Sequence, residues 1–160
     1  MRRNTRGFTL IELLIVIAII GILAAIAVPN LLNAIQRGRQ KRTMADMRAL
    51  ATAIETYHVD NNYFPSAACL PGVFTAAGDV LDLSSFSNLT PTYIAHVPIQ
   101  DGWGRFMAYA ADNAHSKYCV RSYGRDGATG GLVCGTTTDF NDDIIYSNGT
   151  FVQWPEGTQQ

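Results

Sequence analysis

The sequence predicts an α+β protein in which a long N-terminal helix packs, by its second half, on a small antiparallel β-sheet, with a loop-rich connector between the two. Three observations carry this expectation. Residues 8–28, FTLIELLIVIAIIGILAAIAV, are apolar apart from Glu12. Met44, Met47, Leu50, Ala51, Ile54, Tyr57 and His58 then recur at steps of three and four, the period of one helical face. From about Arg105 the pattern changes to short strand-like segments, FMAYAA, YCVRSYG, DIIYSNG and TFVQW.

The apolar run is the first element. A stretch of about 20 apolar residues suffices to cross a bilayer core of roughly 30 Å. Before it stands MRRNTRG, with Arg2, Arg3 and Arg6. Cationic residues flanking a first membrane helix stay cytoplasmic, which sends the rest of the chain across the inner membrane in a bacterium. An ordinary secretory signal has a shorter apolar core, with its small-residue cleavage site after that core. Here the small residue, Gly7, precedes the run. Cleavage after Gly7 would remove the basic tail and keep the helix. A helix apolar on every side needs lipid or protein around it. Gly21 and Pro29 weaken this one, since proline removes a backbone hydrogen bond and glycine is a poor helix former, so a bend or local melting is expected between them.

Beyond Pro29 the helix is expected to continue as an amphipathic segment, with Arg48 and Glu55 on its polar face and its end at Asn61-Asn62, ahead of Pro65. The chain thus divides into a removable leader (1–7), a membrane or filament-core helix (8–30), an amphipathic helix (31–62) and a globular part (63–160). Pro65, Pro71, Pro91 and Pro98 with Gly72 and Gly78 mark the connector, which has room for one short helix near residues 81–89. Ser147-Asn148-Gly149-Thr150 reads as a hairpin turn, because asparagine and glycine tolerate positive φ. A sheet of three or four strands follows.

A formal net charge of −1 gives no support to nucleic acid as a partner. Cys69, Cys119 and Cys134 fall in the part placed outside, where disulfides persist. The expected bridge is Cys119–Cys134, the pair closest in sequence; the alternative is that none is bridged. His58, His96 and His115 show no metal-ligand spacing, and His58 reads as a packed helix residue. Trp103, Tyr109, Tyr118, Tyr123 and Phe140 are expected in the core. No nucleophile motif, phosphate loop or paired-carboxylate cleft stands out, so no enzyme activity is expected.

Arg6-Gly7-Phe8-Thr9-Leu10-Ile11-Glu12 resembles the prepilin signature of type IV pilins and type II secretion pseudopilins, and the likeness runs on through Gly21 and Pro29. The resemblance implies that a prepilin peptidase cuts between Gly7 and Phe8 and then methylates the new amino group of Phe8. It also implies that Glu12 pairs with the Phe8 amine of a neighbouring subunit as subunits join into a helical homopolymer. The alternative for Glu12 is that it only reaches the headgroups. Asp101-Gly102-Trp103-Gly104, Ser122-Tyr123-Gly124-Arg125-Asp126-Gly127 and Asn141-Asp142-Asp143-Ile144 are similar to the C-terminal half of the major pseudopilin family of type II secretion. This implies an inner-membrane subunit, single-pass with a periplasmic domain, that joins a periplasmic filament with an assembly platform and minor pseudopilins as partners. The second reading is a type IV pilin of a surface fibre for adhesion or twitching motility.

The basic run Arg37, Arg39, Lys41 and Arg42 would then touch anionic headgroups before assembly, pair with Asp46, Glu55 or Asp60 of a neighbour in the filament, or form a solvated face of little energetic weight. The resemblance further implies one calcium ion in the C-terminal loop. Asp126 and Asp143 are the matching ligands, with Asn141 and Asp142 beside them. Calcium takes six to eight oxygens, so such a cluster suits it. Asp139, Asn141 and Asp143 have the alternating spacing of an EF-hand start, but Ile144 stands where that loop needs glycine, which rejects an EF-hand. The other reading is a solvated acidic turn.

Overall fold

A computed structural model describes residues 7–65, 89–111, 116–130 and 134–156. The chain separates into two compact units, Met1–Arg37 and Gly38–Gln160. Helix α1 is Leu10–Asn61. In the first unit every described residue through Ile35 is exposed, and an all-round apolar surface of this kind needs lipid or protein around it. The helix runs through Gly21 and Pro29 without a break. Asn30 Nδ2 donates to the Ile26 carbonyl at 3.1 Å, next to the position where proline cannot donate. The isolated chain therefore shows no break in the helix between residues 21 and 29.

In the second unit, α1 lies against a five-stranded sheet. The strands are β1 (Ala108–Ala111), β2 (Tyr118–Ser122), β3 (Gly135–Thr137), β4 (Ile144–Ser147) and β5 (Thr150–Pro155), in the order β1-β2-β4-β5-β3. The apolar face read from sequence is the face that packs. Met44, Met47, Leu50, Ala51, Ile54 and Tyr57 are buried in one cluster with Leu89, Val97, Met107, Tyr109, Tyr118, Val120, Ile144 and Phe151. Each large side chain in it contributes about 1.5–3 kcal/mol of burial. His58 is half-buried and stacks on Phe64 at 4.1 Å. Asn62, at φ 61°, ends the helix in the left-handed conformation, and its N–H donates to the His58 carbonyl.

Four of the strands match the segments expected from sequence. Asn148 (φ 46°) and Gly149 (φ 88°) form the turn between β4 and β5, with both residues at positive φ as a two-residue hairpin requires. The structure departs from expectation at β3, which pairs parallel with β5 and makes the sheet mixed. Three residues opening on glycine carry too little alternation to be read as a strand. On the polar face of the helix, Arg48 is exposed and Glu55 half-buried, and both also reach the sheet. The Arg48 guanidinium sits 5.0 Å from the Phe151 ring centre, and the Tyr118 hydroxyl donates to Glu55 Oε1 at 2.6 Å. Among the aromatic residues, Tyr109 and Tyr118 are in the core and Trp103 packs against it, while Tyr123 and Phe140 are half-buried outside the cluster. Residues 81–88 of the expected short helix, Cys69 and His115 lie outside the described residues.

The Cys119–Cys134 bridge is corrected by the sheet order. Cys119 is on β2, Cys134 precedes β3, and β4 and β5 lie between those strands. Three strand spacings amount to about 14 Å, twice the Cα separation a disulfide spans. Both thiols are unbridged. Burial pushes the Cys119 thiol up to about 12, which makes it a poor nucleophile for exchange. Non-reducing peptide mapping of alkylated protein is expected to yield no Cys119–Cys134 linked pair.

Candidate functional site

Gly7 and Phe8 precede the first helical residue and are exposed, so the peptide bond between them is open to a protease. Thr9 and Glu12 then start the helix reciprocally. The Thr9 N–H and hydroxyl both donate to Glu12 Oε2, at 2.9 and 2.6 Å, and the Glu12 N–H donates to Thr9 Oγ1 at 3.3 Å. This is a capping box, in which two otherwise unsatisfied donors of the first turn find partners. Its signature, Thr-x-x-Glu ahead of an apolar run, stands in the sequence beside the two roles expected of Glu12, toward a neighbour or toward the headgroups. Both bonds use Oε2, which leaves Oε1 for a donor from outside the chain.

The Asp101-Gly102-Trp103-Gly104 segment fixes the globular part to the amphipathic half of α1. Asp101 is buried, and its Oδ1 accepts from the backbone N–H groups of Trp103 and Arg105, each at 2.9 Å. Its Oδ2 accepts from the Ser122 hydroxyl at 2.8 Å, which ties the turn to the end of β2. The Gly102 N–H donates to Thr43 Oγ1 at 2.8 Å, and that hydroxyl donates to the Arg39 carbonyl at 3.0 Å. A side chain at Gly102 would meet the Arg39 carbonyl oxygen at 2.3 Å. None of these residues belongs to the apolar pattern, so the clamp is not legible from periodicity.

The acidic segment forms a third cluster. The structure brings its two motifs together: a side chain at Gly124 would lie 2.7 Å from the carbonyl oxygens of Asn141 and Asp142, and the Arg125 N–H donates to the Phe140 carbonyl. The four expected ligands are placed differently from one another. Asp143 is buried and ion-paired with Arg121 through Oδ2. Its Oδ1 is buried without a hydrogen-bond partner, the one feature that favours a cation. Burial pushes its carboxyl upward, against the lowering contacts of Arg121 and the Gly130 N–H. Asn141 Oδ1 accepts from Arg125 Nε at 3.0 Å. Asp126 is exposed, and its Oδ1 accepts from the Ala128 N–H at 2.9 Å. Asp142 is half-buried. Among the described residues no three His, Cys, Asp or Glu side chains converge as metal ligands do. As placed, the donor set does not fit the expected calcium ion.

Two family profiles match the chain. One, described as the prokaryotic N-terminal methylation motif, covers residues 2–28. The other, type II secretion system (T2SS) protein G, covers residues 30–142. The chain belongs to the type II secretion system protein G family. Type II secretion system core protein G of Dickeya chrysanthemi is 32% identical over 127 residues, 79% of this chain and 82% of the relative. The protein of the same name from Escherichia coli strain K12 is 33% identical over 125 residues, 78% and 85% of the two chains. That of Klebsiella pneumoniae is 30% identical over 143 residues, 89% and 94%.

This membership favours type II secretion over the surface-pilin reading, and the family is one of structural secretion subunits. The methylation motif encloses Gly7, Phe8, Glu12 and Gly21, and so covers the capping box. The protein G profile takes in the Asp101 clamp and the Ser122–Gly127 segment but stops before Asp143. The motif implies a prepilin peptidase, and family membership implies secretion-system partners. The helix holding the motif has a segment long and apolar enough to cross a membrane.

Proposed function

We propose that this chain is the repeating subunit of a short periplasmic filament that drives folded proteins out through type II secretion. The observation that carries the reading is the first part of α1, apolar on all sides and exposed at every described residue through Ile35, with the methylation motif at its start. Such a helix is stable only in lipid or among copies of itself. Before assembly it spans the inner membrane with its second unit in the periplasm. The peptidase cuts after Gly7 and methylates the Phe8 amine. In the filament Glu12 Oε1 accepts from the Phe8 ammonium of a neighbouring copy. An inner-membrane platform and minor pseudopilins assist assembly. Segment 21–29 loses its helix as the subunit enters the filament, since Gly21 and Pro29 bound its weakest stretch.

Co-expression with a prepilin peptidase and the inner-membrane secretion machinery tests the reading. The expected product is a filament whose subunit, by mass spectrometry, begins at Phe8 and carries one added methyl group. Deletion is expected to stop export of folded proteins and to leave twitching motility unchanged. A chain that stays monomeric in the membrane, or a deletion that stops twitching alone, would sink it. Continuous helical density across residues 21–29 in a filament map would remove the melting step.

A further inference from the structure

The loop that the resemblance assigns to calcium is already tied by cations of the chain itself. Arg121, on β2, is 4% exposed, and Asp143, just ahead of β4, is 0% exposed. Arg121 Nε donates to Asp143 Oδ2 at 2.8 Å, and Nη2 donates to the same oxygen. Nη2 also donates to the Gly130 carbonyl at 3.0 Å, and the Gly130 N–H donates back to Asp143 Oδ2 at 3.0 Å. The Tyr123 ring centre lies 5.4 Å from the guanidinium carbon. One side chain therefore gathers a carboxylate and a carbonyl oxygen from two separate stretches of the loop onto a strand of the sheet. That is what a divalent cation does in a loop, where it collects carboxylates and backbone carbonyls.

A guanidinium suits this task. It presents five N–H donors in a fixed fork and is weakly hydrated. A second arginine supports the first: Arg125 holds Asn141 through Nε and the Phe140 carbonyl through its backbone N–H. The single negative charge of Asp143 is shared by both its oxygens and is balanced by Arg121. A calcium ion reaching Oδ1 would stand beside a buried guanidinium, and like charges repel strongly at low dielectric.

We propose that Arg121 takes the place of the divalent cation in this chain, so that Gly130 and Asp143 are held to β2 by an internal guanidinium and the stability of the fold does not respond to calcium. The proposal goes beyond the filament reading and does not depend on it; filament assembly and calcium response are read separately.

The test is thermal unfolding of the full chain in detergent, with a chelator and with millimolar calcium chloride, for the wild type and for Arg121→Gln. The wild type is expected to melt at the same temperature in both buffers. Arg121→Gln is expected to melt roughly 10 °C lower in both, because it leaves a buried carboxylate without its partner. A wild-type rise of several degrees in calcium, or an Arg121→Gln variant as stable as the wild type, would overturn the proposal. If the variant fails to fold, isothermal titration of the wild type with calcium decides alone. Absence of saturable heat supports the internal tie, and a saturable isotherm overturns it.

Discussion

Glu12→Gln is expected to leave the start of α1 intact and to abolish filament assembly. Glutamine serves at the third position of a capping box as glutamate does, so the bonds from the Thr9 N–H and hydroxyl survive the change. What is lost is the charge. If Oε1 serves the ammonium of a neighbour, the neutral amide leaves that ammonium without a counter-charge in an apolar setting, where ionised groups need partners. Circular dichroism of the monomer in detergent should be unchanged, and filaments in the co-expression system should be absent. Filaments at wild-type yield from Glu12→Gln, together with their loss in Glu12→Ala, would mean that Glu12 supplies the cap and not the charge.

Gly102→Ala is expected to be the most damaging single-methyl change in the second unit. The added carbon would meet the Arg39 carbonyl oxygen at 2.3 Å and the carbonyl carbon at 2.8 Å. These are backbone atoms of a helix and cannot swing aside. The turn must retreat instead, and it then loses the bond from the Gly102 N–H to Thr43 and strains the three bonds accepted by the Asp101 carboxylate. Overpacking costs about 1–3 kcal/mol and each lost hydrogen bond about 1 kcal/mol, which together suggest about 3–4 kcal/mol. The melting temperature should fall by roughly 10 °C. Gly104→Ala is the control two residues away. Gly104 has φ +79° with nothing within 4 Å, so that change should cost only the left-handed penalty of about 1–2 kcal/mol. Equal losses at the two positions would show that close approach to Arg39 is not what Gly102 provides.

The elements legible in the sequence are those with a period or a signature. The helix was visible from its apolar run and from the three-and-four spacing of Met44 to Tyr57, and its end from Asn61-Asn62. The β4–β5 hairpin was visible from Asn148-Gly149. What escaped depends on contacts between distant residues. The parallel pairing of β3 with β5 has no local signal. The Cys119–Cys134 expectation rested on sequence distance, and strand order overrides sequence distance. The sequence shows the oxygens of Asp143 but not its partner Arg121, 22 residues earlier, brought against it by the β2–β4 pairing. The capping role of Glu12 is legible in Thr9-x-x-Glu12.

The exposed apolar helix of the first unit has a consequence for reversibility. Lipid tails are as apolar as leucine side chains, so a helix that moves from a bilayer to a bundle of like helices gains almost no hydrophobic free energy. Growth and retraction of a filament built on it are then nearly balanced in that term. The direction of travel is set by packing, by a few polar contacts and by whatever energy source acts at the base. A subunit of this kind is suited to a polymer that is repeatedly built and drawn back into the membrane rather than one that, once formed, is permanent.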